Sequence, residues 1–95
     1  MESIGSIVRR VLKNSGKEFL FDEGILKVRW REIAGDFIAR NSTPDRIYNK
    51  VLYIQCFNSS FKQELFFLKK SIIEKINSSF SKELVNDIKL FYKNR

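Results

Sequence analysis

Residues 22–40 read DEGILKVRWREIAGDFIAR and hold the chain's one tryptophan, Trp30. Leu26, Trp30, Ile33 and Phe37 recur at i, i+4, i+7 and i+11, so on a helix of 3.6 residues per turn they form one apolar stripe, widened by Ala34 and Ile38. The spacing predicts a single helix from Asp22 to Arg40 whose stripe other elements must cover. Asp22 suits the N-cap, Glu23 lies in the first turn where the helix dipole favours an acid, and Asn41, Ser42, Thr43 and Pro44 supply the stop. Gly35 falls on the opposite side beside Val28, where another backbone can approach. Trp30 and Gly35 are read first as structural, a core anchor and a packing accommodation.

On the N-terminal side, Ile4, Ile7, Val8, Val11 and Leu12 share one face while Arg9, Arg10 and Lys13 take the other. That predicts an amphipathic helix over about 3–15, closed by a left-handed cap near Gly16. Phe19, Leu20 and Phe21 then form an apolar connection that is expected to be packed.

On the C-terminal side the period changes from 3.6 to 2. Residues 46–48 and 51–57 are rich in β-branched and aromatic side chains, and Asn49-Lys50 between them has the length of a tight hairpin turn, with Lys where Gly is usual. Leu52, Ile54 and Cys56 point to the core and Val51, Tyr53, Gln55 and Phe57 to the other face. Ser60 with Gln63 has the form of a capping box opening a helix over about 61–77. Its stripe is Phe61, Leu65, Leu68, Ile72 and Ile76, with Phe66 and Ile73 on a neighbouring facet and Phe67 among polar residues. Ser78, Ser79 and Ser81 break it, and residues 85–92 alternate as a last strand with Ile88 and Leu90 inward. The expected fold is α+β in the order α-α-β-β-α-β, a three-stranded sheet with helices packed on one face and the long helix crossing from the second strand to the third.

Ninety-five residues support one small core. Eighteen Lys and Arg against eleven Asp and Glu leave a net charge of +7, which favours polyanions or acidic protein surfaces as partners. There is no histidine and one cysteine, so an intramolecular disulfide, an ordinary zinc site and an imidazole-activated nucleophile all lack their parts. Cys56 is read as a small buried hydrophobe. The carboxylates Glu64, Glu74 and Asp87 do not cluster along the chain, and neither glycine-rich phosphate-binding pattern occurs. The chain reads as a binding module, not an enzyme, with no cofactor and no metal. Met1 to Gly5 lacks the charge and apolar run of a signal peptide and no segment reaches membrane-spanning length, so a cytoplasmic protein is expected.

The ordered set of Trp30 to Ala39, then Ser42-Thr43-Pro44, then the strand Val51 to Cys56 running into Asn58-Ser59-Ser60-Phe61, then Glu64-Leu65 and Leu68-Lys69, resembles the DciA family of bacterial replication proteins. Leu52, Ile54 and Cys56 fill the strand positions, Phe61 takes the aromatic position usually held by Trp, and Ile88 with Leu90 the closing strand. The resemblance covers about residues 22–91. It implies a KH-like domain, here spanning residues 1–95, that binds the replicative DnaB-type helicase ring and DNA and assists helicase loading. Many members carry a flexible tail beyond that domain, and this sequence stops at Arg95. The G-x-x-G clamp of KH-type RNA binding is missing, which argues against sequence-specific RNA reading.

For single-stranded or forked DNA the candidates are Arg46 and Lys50 at the hairpin and Lys62, Lys69 and Lys70 on the long helix, with Tyr48 and Tyr53 as possible stacking rings. Phe67 is the candidate partner contact. Trp30, Gly35, Pro44, Phe61 and Leu65 are family signature positions read as structural. Two other readings stand beside this one: a general RNA-binding module using the same basic surface, and a protein adaptor in which charge plays no part.

Overall fold

The computed structural model describes residues 3–94. Helices α1 (Ile4–Asn14), α2 (Glu18–Val28), α3 (Trp30–Ala34) and α4 (Asp36–Asn41) precede strands β1 (Ser42–Tyr48) and β2 (Val51–Cys56), followed by α5 (Ser59–Phe80) and β3 (Asp87–Tyr92). The sheet order is β1-β2-β3, with β1 antiparallel and β3 parallel to the central β2. The expected α+β arrangement is the one observed, α5 being the crossover between the two parallel neighbours.

The tryptophan stretch is where the chain departs from its pattern. Instead of one helix from Asp22 to Arg40 there are three short ones, broken at Arg29 and at Gly35. Gly35 has φ 96° and ψ 161°, a conformation essentially confined to glycine, and a Cβ added there would meet nothing within 4 Å. Its role is therefore the backbone turn, not the close approach expected beside Val28. The break re-aims the stripe: Leu26, Trp30, Ile33, Ala34 and Ile38 are buried, while Phe37 is half exposed and meets Phe61 edge-on at 5.2 Å between ring centres. The Trp30 indole donates to Ser42 Oγ at 3.4 Å, and the Ser42 hydroxyl donates to the Ile38 carbonyl at 2.6 Å.

Asp22 is not an N-cap. It lies inside α2, fully buried, because the helix begins at Glu18 and absorbs the apolar connection of Phe19 to Phe21. Phe19 and Leu20 of that connection are half exposed, not packed. Helix α1 ends in the expected left-handed cap at Gly16: the Lys17 N–H reaches the Leu12 carbonyl at 2.6 Å and the Gly16 N–H the Lys13 carbonyl at 3.1 Å. No α1 residue is fully buried, and its apolar face, Ile4 and Val11 above all, stays exposed. Its main packed neighbour is α2.

The helical stretch stops at Asn41, as expected of residues 41–44, and Pro44 is already a strand residue. It sits on the edge strand β1, where a missing N–H breaks no interior ladder, and the register shifts between Pro44 and Arg46. Asn49 and Lys50 both adopt positive φ, 50° and 61°, so the turn keeps the two left-handed residues of a type I′ hairpin without glycine. Leu52, Ile54 and Cys56 are fully buried against α5, whose Phe61, Leu65, Ile72 and Ile76 face them, while Leu68 of the expected stripe lies half exposed. The helix cap is Asn58, whose side chain accepts the Phe61 N–H at 2.6 Å, in place of the Ser60 and Gln63 box. Of the expected serine break, Ser78 and Ser79 stay helical, Ser79 Oγ donating to the Lys75 carbonyl at 2.9 Å, and the helix ends at a left-handed Ser81. Asn77 then holds the return, accepting the Leu84 and Val85 N–H groups and donating to the Val85 carbonyl.

Candidate nucleic-acid and partner surfaces

Helices cover one face of the sheet, and the register decides what the other presents. Arg46, Tyr53 and Lys89 stand side by side across the three strands, and the next row is Thr43, Gln55 and Phe91. The Arg46 guanidinium lies over the Tyr53 ring, 4.7 Å from its centre. Arg46, Tyr53, Phe91 and Lys93 line a shallow hollow of about 290 Å³, with Asp45 at its rim.

A second basic surface runs along the free edge of β3. Lys62, Phe66 and Lys69 of α5 line a groove of about 500 Å³ together with the β3 segment Ile88 to Leu90. Lys69 Nζ is 2.9 Å from Asp87 and 5.4 Å from the Phe66 ring centre. The Lys69 ammonium, joined by the Ile88 N–H, holds the Asp87 carboxyl below its ordinary value.

The five cations chosen from the sequence are thus divided. Lys62 and Lys69 share the α5–β3 groove. Arg46 lies on the open sheet face. Lys50 is at the hairpin turn, 3.9 Å from Glu83, and lines a different hollow of about 440 Å³ with Glu18, Asp22 and Lys82. Lys70 is exposed on α5 and lines neither surface. Phe67 is 76% exposed, touched edge-on by Phe66 at 5.9 Å, and α1 packs on α2 and leaves it open. Of the signature positions, Trp30, Pro44, Phe61 and Leu65 are buried and Gly35 forms the turn described above.

Sequence reasoning missed a charged cluster and the rest of the sheet face. Arg9 Nη1 lies 3.0 Å from both Asp22 and Glu18, and Lys82 Nζ lies 2.6 Å from Asp22, so three distant segments meet at one buried carboxylate. The signal was Asp22 directly after the apolar run Phe19 to Phe21 and one turn before Leu26, on the side that packs inward. Lys89, Phe91 and Lys93 join Arg46 and Tyr53 through a parallel register that spacing along the chain does not reveal. Burial pushes the Cys56 thiol up, against the opposing pull of Lys62. Among the described residues no three side chains of the metal-binding types come together, and no helix is long and apolar enough to cross a membrane.

Comparison with known proteins adds to this geometry. The family model described as Dna[CI] antecedent, DciA, matches residues 3–90. A UPF0232 protein of Corynebacterium glutamicum (strain R) is 22% identical over 90 residues, covering 95% of this chain and 51% of its own length. The chain therefore spans about half the length of the curated relative it matches. With the tryptophan segment, the hairpin and the crossover helix all inside the matched region, the chain belongs to the DciA family.

Proposed function

We propose that this chain is a KH-like, non-enzymatic accessory domain of bacterial DNA replication, which binds the replicative DnaB-type helicase and DNA and assists helicase loading in the cytoplasm. The observation that carries this reading is the family match across residues 3–90. It is supported by a net charge of +7 and by basic side chains set against the half-buried ring of Tyr53 and the exposed ring of Phe66. Basic side chains hold single-stranded or forked DNA without reading its sequence, since contacts to phosphate fix position and carry no base information. Arg46, Lys50, Lys62, Lys69 and Lys70 are the residues assigned to that task, with Lys62 and Lys69 acting together. The exposed ring of Phe67, beside Phe66, is assigned to the helicase contact.

The test is capture of the replicative helicase of the same bacterium by the immobilised chain, paired with an anisotropy titration with and without single-stranded DNA. Saturable capture that raises helicase occupancy on DNA is the expected result. Absence of capture at micromolar concentration, with nucleic-acid binding intact, overturns the loader reading and leaves a basic nucleic-acid module.

A further inference from the structure

We infer that the open face of the sheet is a stacking platform for single-stranded DNA, with bases laid on Tyr53 and Phe91 and phosphates drawn to Arg46, Lys89 and Lys93. The inference rests on the reading that the chain handles DNA, and it names the surface and the form of DNA. The two rings stand diagonally in adjacent rows of neighbouring strands, Tyr53 on β2 and Phe91 on β3, so successive bases can meet successive rings. The core helices pack on the opposite face, and Tyr53 and Phe91, half-buried among their strand neighbours, both line the hollow on this one. Neither ring is needed by the core, which is closed by Leu52, Ile54 and Ile88 on the other side of the same strands.

Charge selects the occupant. Lys89 flanks Tyr53 on one side and Arg46 on the other, and Lys93 follows Phe91, so cations surround the rings, with Asp45 at the rim as counter-charge to Arg46 at 3.8 Å. An apolar protein segment would find the rings but offer those cations no counter-charge of its own, whereas an extended polyanion with exposed π-faces satisfies both. Arg46 over Tyr53 holds the position a base would take. An exposed cation–π contact is weak, so an incoming base displaces the guanidinium toward a neighbouring phosphate at little cost. Duplex DNA fits poorly, because its bases are already stacked on one another.

The experiment is an anisotropy titration of a short labelled oligothymidylate with the chain and its Tyr53→Leu, Phe91→Leu and Tyr53→Phe variants, each first shown folded by Trp30 fluorescence. Loss of each ring should weaken binding about tenfold or more while the salt dependence keeps its slope, and Tyr53→Phe should bind as the parent does. Changing Arg46, Lys89 and Lys93 to Gln should instead flatten the log–log salt slope by about 0.7 per charge removed. A folded double Leu variant that binds like the parent overturns the platform, as does tighter binding of RNA or duplex DNA of matching sequence. If binding is lost only when Lys62 and Lys69 are changed, the α5–β3 groove is the site and the platform is refuted. Helicase capture without DNA is measured on the same variants. A chain that fails to capture helicase yet loses oligonucleotide with its rings retains the platform and loses the loader reading.

Discussion

Replacing Gly35 by alanine isolates the free-energy cost of one backbone conformation. The added methyl meets no atom within 4 Å, so packing contributes nothing, and what remains is an L-residue held at φ 96° and ψ 161°. Such a conformation costs about 1–3 kcal/mol, offset by about 0.4–1 kcal/mol because alanine restricts the unfolded chain. The net loss should be about 1–2 kcal/mol, or roughly 5–15 °C in Tm for a chain of this size. Gly24 supplies the internal control. It sits in the exposed interior of α2, a methyl there also meets nothing, and its replacement by alanine should gain about 0.5–1 kcal/mol. Urea unfolding followed by the fluorescence of buried Trp30 measures both, with the urea dependence expected to stay unchanged. A Gly35→Ala protein as stable as the parent would refute the claim that positive φ breaks the helix at this point. So would equal effects at the two glycines, since local conformation would then decide nothing.

The buried Asp22 makes a second prediction. Removing Arg9 or Lys82 alone leaves the carboxylate one cation, whereas the Arg9→Ala/Lys82→Ala protein strands it and should lose about 3–5 kcal/mol, more than the two single losses added together; simple additivity in urea midpoints would contradict the shared cluster. Asp87, held below its ordinary value by Lys69, contributes stability that is present above the unfolded value of 3.8 and lost as pH falls through the lower folded value. Urea midpoints between neutral pH and pH 3 should therefore fall less steeply for Asp87→Asn than for the parent, and matching curves would remove the ion pair from the account. Cys56 is fully buried with its thiol pushed up, so a thiol reagent at pH 8 should label it only as urea unfolds the protein, and rapid labelling of the native chain would place it at the surface.

Much of the fold follows from local chemistry that a sequence carries openly. Alternation along residues 51–57 orients Leu52, Ile54 and Cys56 before any partner is known, because successive strand side chains must point to opposite faces. The 3.6 period does the same for Phe61, Leu65, Ile72 and Ile76, and Gly16 marks a helix end because few other residues take its left-handed φ at low cost. Charge, the absence of histidine and the DciA-like order of motifs are likewise properties of composition and sequence alone.

The tertiary structure decided what those periods could not. Periodicity across Gly35 is the same for one straight helix and for two helices joined by a turn, so the exposure of Phe37 waited on a backbone angle. Asp22 looks like a cap when only its neighbours along the chain are known, yet its partners Arg9 and Lys82 lie 13 residues before and 60 after it. The candidate site shows the same division. Each of Arg46, Tyr53, Lys89 and Phe91 could be assigned to the outer side of its own strand by alternation. That they form adjacent rows on one uncovered face depends on the register between strands joined by a 22-residue helix, and that register is set by how α5 packs into the core.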